Sequence, residues 1–190
     1  MDRAGSSWAG YVLTGGKSSR MGRDKAMLPW QGTRLALHIG REVEQAVGNV
    51  TLVGVIGAKE LWPQAIPDAI AEIGPLGGLI TALRHTTADW NLIVACDLPH
   101  VDRELIRKIR AAAGVDADCV ACRTESRTEK GWEPLCAAYH RSVLPIAEEF
   151  AASGRYKMQE FLAALRATAV AADPFVLHNV NTPEIGRAHV

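Results

Sequence analysis

Between Leu13 and Lys25 the chain reads Leu-Thr-Gly-Gly-Lys-Ser-Ser-Arg-Met-Gly-Arg-Asp-Lys. Gly15 and Gly16 lack the Cβ atoms that keep backbone N–H groups away from a ligand, and Lys17, Arg20, Arg23 and Lys25 follow with positive charge. That combination suits a polyphosphate. It is not a P-loop, because Gly16-Lys17-Ser18 would need a glycine at position 11, where Tyr11 stands. Nor does Gly15 or Gly16 begin a G-x-G-x-x-G dinucleotide fingerprint. Taken alone, the glycine pair also describes an ordinary turn flanked by solvated charges.

Asp97 is the second residue of interest. It closes the continuously apolar run Leu92 to Cys96, so it should stand at the carboxyl end of a buried strand, where ligands of open α/β sheets bind. A carboxylate about 4 Å from a phosphate charge is repelled by about 4 kcal/mol at an effective dielectric of about 20. A divalent cation reverses that sign, and Mg2+ needs only one or two carboxylates beside phosphate oxygens and water. Asp97 is therefore the candidate metal ligand, although in isolation it also fits a helix cap or a turn before Pro99. Asp68 follows Pro67 in what is equally an ordinary turn-forming pair. Arg155 and Lys157, after Gly154, could meet a second phosphate or be exposed charges at a helix start.

Other reactive side chains point to no second chemistry. Cys119 and Cys122 have C-x-x-C spacing, but Cys96 and Cys136 are isolated, and the pair falls inside an expected strand rather than at a strand-to-helix turn. Buried core thiols are the expectation. The six histidines show no helical metal spacing; Trp62, Trp90 and Trp132 are expected to pack or to line a loop, and Trp132, beside Glu133-Pro134, could also border a substrate site.

The elements that must position these residues alternate between short apolar runs and amphipathic stretches, the pattern of strand and crossover-helix units. Strands are expected at about Gly10–Thr14, Val50–Ile56, Asn91–Cys96, Asp118–Cys122, Pro134–Tyr139 and Thr168–Ala172, with a short piece at Gln64–Pro67. Leu35, Ile39, Val43 and Val47 recur every four residues and predict a helix over Leu35–Val47. Further helices are expected over Leu76–His85, Asp102–Ala113 with Asp102 as N-cap, Ser142–Ala152 and Lys157–Leu165. Arg123–Gly131 reads as a mobile loop. The fold class is α/β, a mainly parallel sheet with helices on both faces.

Composition limits the partners. The chain has 190 residues, with 21 Lys and Arg against 21 Asp and Glu, and is 48% hydrophobic, as expected of one globular domain spanning 1–190. Zero formal charge argues against a nucleic-acid wrapper or a polybasic membrane binder. The longest apolar run is far shorter than the roughly 18 residues of a bilayer span. Four cysteines and no apolar region ahead of a cleavage site read as cytoplasmic.

Gly15-Gly16, Ser18, Arg20-Met21-Gly22 and Asp24-Lys25 together resemble the signature loop of the nucleotidyltransferases that activate sugars, isoprenoid alcohols and the molybdenum cofactor. In so short a chain the Arg-Met-Gly-x-Asp-Lys form is most similar to the molybdenum cofactor guanylyltransferases. Gly74-Pro75-Leu76-Gly77-Gly78-Leu79, Cys96-Asp97-Leu98-Pro99, Glu133-Pro134-Leu135 and Asn179-Val180-Asn181-Thr182-Pro183-Glu184 resemble that family's later motifs. Thr14 stands where alanine is common, and Val53-Gly54-Val55 where the guanylyltransferases carry a guanine-contacting asparagine.

The resemblance implies a three-layer Rossmann-like nucleotidyltransferase fold, with a nucleotide-binding half at about 10–100 and an acceptor-binding half at about 101–190. It implies transfer of GMP from GTP to molybdopterin with release of pyrophosphate, Mg2+ as cofactor, and molybdoenzymes or other cofactor-biosynthesis proteins as partners. Lys25, Arg20 and Asp97 would be catalytic, and Asp97 would hold the metal. Leu13, Thr14, Gly15, Gly16, Lys25, Asp68, Gly78 and Asp97 would bind nucleotide. Asn179, Asn181 and Arg155 would bind the acceptor. A cytidylyltransferase acting on the same pterin, a sugar-1-phosphate nucleotidylyltransferase and a non-catalytic GTP or cofactor carrier remain as alternatives.

Overall fold

The computed structural model describes residues 5–14, 25–54, 62, 65–70, 72–124 and 131–180. The strands are β1 (Trp8–Leu13), β2 (Pro29–Trp30), β3 (Thr33–Arg34), β4 (Thr51–Val53), β5 (Trp90–Ala95), β6 (Cys119–Arg123), β7 (Trp132–His140) and β8 (Ala167–Ala171). The helices are α1 (Leu35–Val47), α2 (Pro75–His85), α3 (Arg103–Ala111), α4 (Leu144–Ala152) and α5 (Met158–Ala163). Six strands form one sheet in the order β4-β1-β5-β7-β6-β8. β4, β1 and β5 run parallel, β7 is antiparallel to both β5 and β6, and β8 is parallel to β6. Five strands thus point one way and β7 alone points back.

The sheet has a core on each face. Ile39 and Val43 of α1 and Ile106 and Ile109 of α3 pack with Val12, Leu92 and Val94 on one side. Leu79 and Ile80 of α2, Phe150 of α4 and Phe161 of α5 pack with Tyr11, Ile93 and Tyr139 on the other. Every residue of β5 is buried, the result of covering both faces of a central strand and the reason its sequence is continuously apolar.

Local signals set the helix limits. α1 ends at Gly48, whose φ of 94° only glycine adopts without strain and whose N–H donates to Glu44 O. α3 starts at Asp102, whose side chain accepts from Leu105 N at 2.8 Å. α3 ends at Ala111 and α5 at Ala163, both short of their expected ends, and the first turn expected of α4 is a 3-10 turn over Arg141–Val143.

β7 departs most from a simple parallel sheet. Its pairing with β6 shifts between Ala121 and Cys122: Ala121 lies opposite Ala137, but Cys122 lies opposite Glu133. The surplus residues on β7 begin at Pro134, which has no N–H to give a ladder, so a bulge forms there and re-aims Trp132 and Glu133.

The C-x-x-C pair divides across the sheet. Cys119 belongs to the α2/α4/α5 core and Cys122 to the α1/α3 core, where its thiol lies 3.5 Å from that of Cys136. All four cysteines are free and buried. Burial pushes the Cys119 thiol up, and the Cys122 contact and burial push Cys136 up, so both remain protonated packing groups.

Candidate active site

Strand direction gathers those sequence-predicted residues that the structure describes at one end of the sheet. β1, β4 and β5 finish there with Leu13, Val53 and Ala95, and β7 begins there with Trp132 and Glu133. α4 runs back along β7, so its turn into α5, carrying Arg155, lies at that end too. β8 finishes beside Arg123, and the chain then crosses until Val180 N donates to Asp97 O at 2.9 Å.

Asp97 and Lys25, distant in sequence, meet here: Lys25 Nζ lies 3.5 Å from Asp97 Oδ2, with the two side chains 24% and 23% exposed. Cys96 N donates to Leu13 O, which ties the start of the Asp97 turn to the end of β1. A half-open carboxylate facing a cation is what a metal and phosphate site requires of its protein partners.

Two further oxygens at this end are buried without a hydrogen-bond partner, Asp68 Oδ1 and Asn179 Oδ1. Buried acceptors are ordinarily satisfied, so both oxygens have capacity open to a hydrogen-bond donor. Burial raises the Asp68 carboxyl above its usual value. Asp68 is strapped to α2: Ala69 N donates to Thr81 Oγ1, and a Cβ on Gly77 would meet Ile70 O at 2.5 Å. Gly78, one residue on, brings α2 against β1, since a Cβ there would meet both Leu13 methyl groups at 3.1 Å. Asn179 is held beside Asp97 by the bond from Val180 N.

Thr14 has a scaffold role. Its N–H and its hydroxyl both donate to Val53 O, at 2.9 and 2.7 Å, and join the ends of β1 and β4. Arg155 is exposed in the turn between α4 and α5, its guanidinium 3.7 Å from the Phe150 ring centre. Gly15, Gly16, Arg20 and Asn181 lie outside the described residues, as does most of the Arg123–Gly131 loop.

Glu133 had no role assigned from sequence. Burial, with a contribution from the negative charge of Asp97, raises its carboxyl, and Leu135 N donates to its Oε1 at 3.1 Å. Its sign in the sequence was only a Glu-Pro-Leu motif; the bulge at Pro134 is what turns it toward Asp97.

The donor set fits a divalent cation held mainly by substrate. Among the described residues no three of His, Cys, Asp and Glu converge to hold a metal alone. Asp97 supplies one carboxylate, and Mg2+ ordinarily takes one or two with phosphate oxygens and water.

The MobA-like NTP transferase domain family matches residues 10–170. A molybdenum cofactor guanylyltransferase of Pseudomonas putida (strain GB-1) is 32% identical over 183 residues, 92% of this chain and 93% of that one. A probable molybdenum cofactor guanylyltransferase of Flavobacterium johnsoniae is 31% identical over 154 residues, 80% of this chain and 79% of that one. Among solved structures, molybdopterin-guanine dinucleotide biosynthesis protein A from Archaeoglobus fulgidus aligns with a TM-score of 0.76 at 21% identity, over 95% of this chain and 96% of that one. The 4-diphosphocytidyl-2C-methyl-D-erythritol synthase of Anaerococcus prevotii aligns with a TM-score of 0.75 at 12% identity, over 97% and 94%. At those identities the two structures establish the shared fold.

Proposed function

The chain belongs to the MobA-like NTP transferase domain family and is a nucleotidyltransferase, and from that premise we propose that it transfers GMP from GTP to molybdopterin, releasing pyrophosphate. The observation that carries this reading is the 32% identity to a molybdenum cofactor guanylyltransferase across nine-tenths of both chains. The geometry supports it with a carboxylate and a cation, Asp97 and Lys25, opposed at the strand ends. One domain would suffice, with nucleotide over β1, β4 and α2 and acceptor over β7, α5 and the segment ending at Val180.

In this mechanism the acceptor phosphate attacks the α-phosphorus in line, so catalysis consists of positioning and charge neutralisation. No protein nucleophile is needed. Gly15 and Gly16 supply N–H groups to the phosphates, and Arg20 and Lys25 neutralise the charge that builds on them. Asp97 would hold the divalent cation, and Mg2+ there would supply Lewis-acid polarisation of the phosphoryl oxygens. Leu13, packed on Gly78, offers an apolar face to base or ribose, and Asp68 Oδ1 an acceptor for their N–H or O–H groups. Asn179, Asn181 and Arg155 receive the acceptor.

Magnesium, a cytoplasmic setting with GTP at hand, and hand-over to molybdoenzymes or other cofactor-biosynthesis proteins complete the reading. Among the described residues no helix is long and apolar enough to cross a membrane. Zero formal charge fits small-molecule substrates rather than nucleic acid.

Asp68 gives a prediction in which stability and function separate. Its raised carboxyl pKa means that folding disfavours the ionised form, a destabilisation present at neutral pH that fades as pH falls through the raised value. Asp68→Asn should therefore melt no lower than wild type at neutral pH, with a flatter dependence of Tm on acidification. Its KM for nucleotide should rise about 10-fold through the lost charged acceptor. Thermal melts against pH and steady-state kinetics check both halves.

The test of the function is pyrophosphate release with Mg2+ and molybdopterin, comparing GTP, CTP, ATP and UTP. Acceptor-dependent release selective for GTP is expected. Selectivity for CTP would keep the mechanism and assign a cytidylyltransferase, and release indifferent to molybdopterin would exclude that acceptor.

A further inference from the structure

Arg123 ends β6 at the same end of the sheet as Asp97, and its guanidinium carbon lies 5.3 Å from the ring centre of Trp132, its cross-strand neighbour. It forms no ion pair with a carboxylate among the described residues, whereas Arg84, Arg103 and Arg166 are each paired with one. Its backbone is fixed from both sides, opposite Trp132 on β7 and opposite Ala171 on β8, and its carbonyl accepts from Ala172 N. Gly131 lies alongside it: a Cβ there would meet Thr124 O at 3.1 Å and stand 3.4 Å from Cγ and Nε of Arg123. Trp132 is braced in turn, since Gln159 in the first turn of α5 donates to its carbonyl at 2.9 Å.

An arginine stacked on an indole has its rotamer restricted before a ligand arrives, while the N–H edges of the guanidinium stay available for an anion. Arg123 is also at the right distance from the transfer centre. It lies on the second strand over from β5, so about 10 Å of sheet separates the end of β5, where Asp97 stands, from Arg123. The strand between them carries Glu133, so the line from Asp97 to Arg123 crosses the acceptor half. Arg155, likewise propped on an aromatic ring and without a carboxylate partner among the described residues, precedes the same helix α5 that braces Trp132.

We infer that Arg123, held over the Trp132 ring, is a specificity-determining contact for the acceptor, engaging an anionic group of that substrate besides its attacking phosphate. The inference rests on the proposed reaction and extends its acceptor subsite to a residue outside the motifs that carry the family resemblance. It requires an acceptor that carries an anionic group besides its attacking phosphate, as the dithiolene sulfurs of molybdopterin are, and gives no role to Arg123 in nucleotide binding.

The test compares wild type, Arg123→Gln and Arg123→Lys in pyrophosphate release with GTP, Mg2+ and varied molybdopterin, alongside calorimetric binding of GTP. Arg123→Gln should raise the acceptor KM about 10-fold, with kcat and GTP affinity within about 2-fold of wild type. Arg123→Lys, keeping the charge but losing the stacked fork, should fall between them. Raising ionic strength should increase the acceptor KM of wild type more steeply than that of Arg123→Gln. Arg123 is exposed, so melting temperatures within a few degrees of wild type exclude misfolding. An unchanged acceptor KM in Arg123→Gln, with wild type active, overturns this contact and leaves the reaction standing. Wild type that ignores molybdopterin overturns the reaction and the contact with it.

Discussion

Asp97→Asn is expected to lower kcat for nucleotidyl transfer by about a thousandfold, because neutralising the carboxylate that would hold the divalent cation removes several kcal/mol of the charge stabilisation that cation would supply. The fold should survive. The Asp97 side chain lies partly in solvent, and the structural bond at this position runs from Val180 N to the backbone oxygen, which the substitution leaves in place. Binding of Mn2+ in the presence of GTP, followed by electron paramagnetic resonance, should weaken in parallel. A variant that melts normally and retains both turnover and Mn2+ affinity would remove Asp97 from the centre.

Lys25→Met should have two effects of opposite sign. Turnover should fall about a hundredfold, the usual consequence of removing one cationic donor from a phosphoryl-transfer site, and GTP affinity should fall with it. Without nucleotide, Mn2+ should bind the variant about 5-fold more tightly than wild type, because the ammonium 3.5 Å from Asp97 Oδ2 no longer competes with the ion. On the proposed reaction the two ligand sets would share one carboxylate, with Lys25 on Asp97 before the metal nucleotide arrives and on the phosphates afterwards. Spin-resonance titration of the nucleotide-free protein and calorimetry with GTP check the two signs; loss of metal binding together with nucleotide binding would reduce Lys25 to a structural role.

Much of the scaffold was legible because single physical signals dominate it. The four-residue spacing from Leu35 and the glycine at 48 fixed both ends of α1, and the unbroken apolar run fixed β5 as the buried centre with Asp97 at its end. Strand periodicity carries no direction, so the β7 residues themselves do not announce its reversal; the signal lay in the stretch 124–131 between β6 and β7, which is too short for a parallel crossover. The β2–β3 hairpin was also unread. Its strands have two residues each, and its turn places Gln31 at φ 44° beside Gly32 at φ 74°, a conformation glutamine rarely signals.

The candidate site divides along the same line. Lys25, Asp68, Asp97 and Asn179 could be named from residue type and resemblance, and the structure brings Lys25 and Asp97 into contact while leaving an oxygen of Asp68 and of Asn179 buried and unmet. Glu133 and Arg123 could not be named. Their placement depends on the register shift at Pro134, a tertiary consequence of one missing N–H within a strand. Thr14 shows the converse: named from the resemblance for nucleotide binding, it has its hydroxyl joined to Val53 O.

The most direct test of the central claim is the mass of the product formed from molybdopterin and GTP carrying a labelled α-phosphate, with Mg2+ and catalytic amounts of the protein. The account predicts a molybdopterin species heavier by one GMP unit, with the label retained in it and unlabelled pyrophosphate released in equal amount. Label recovered in GDP or free GMP, with molybdopterin unchanged in mass, would contradict it.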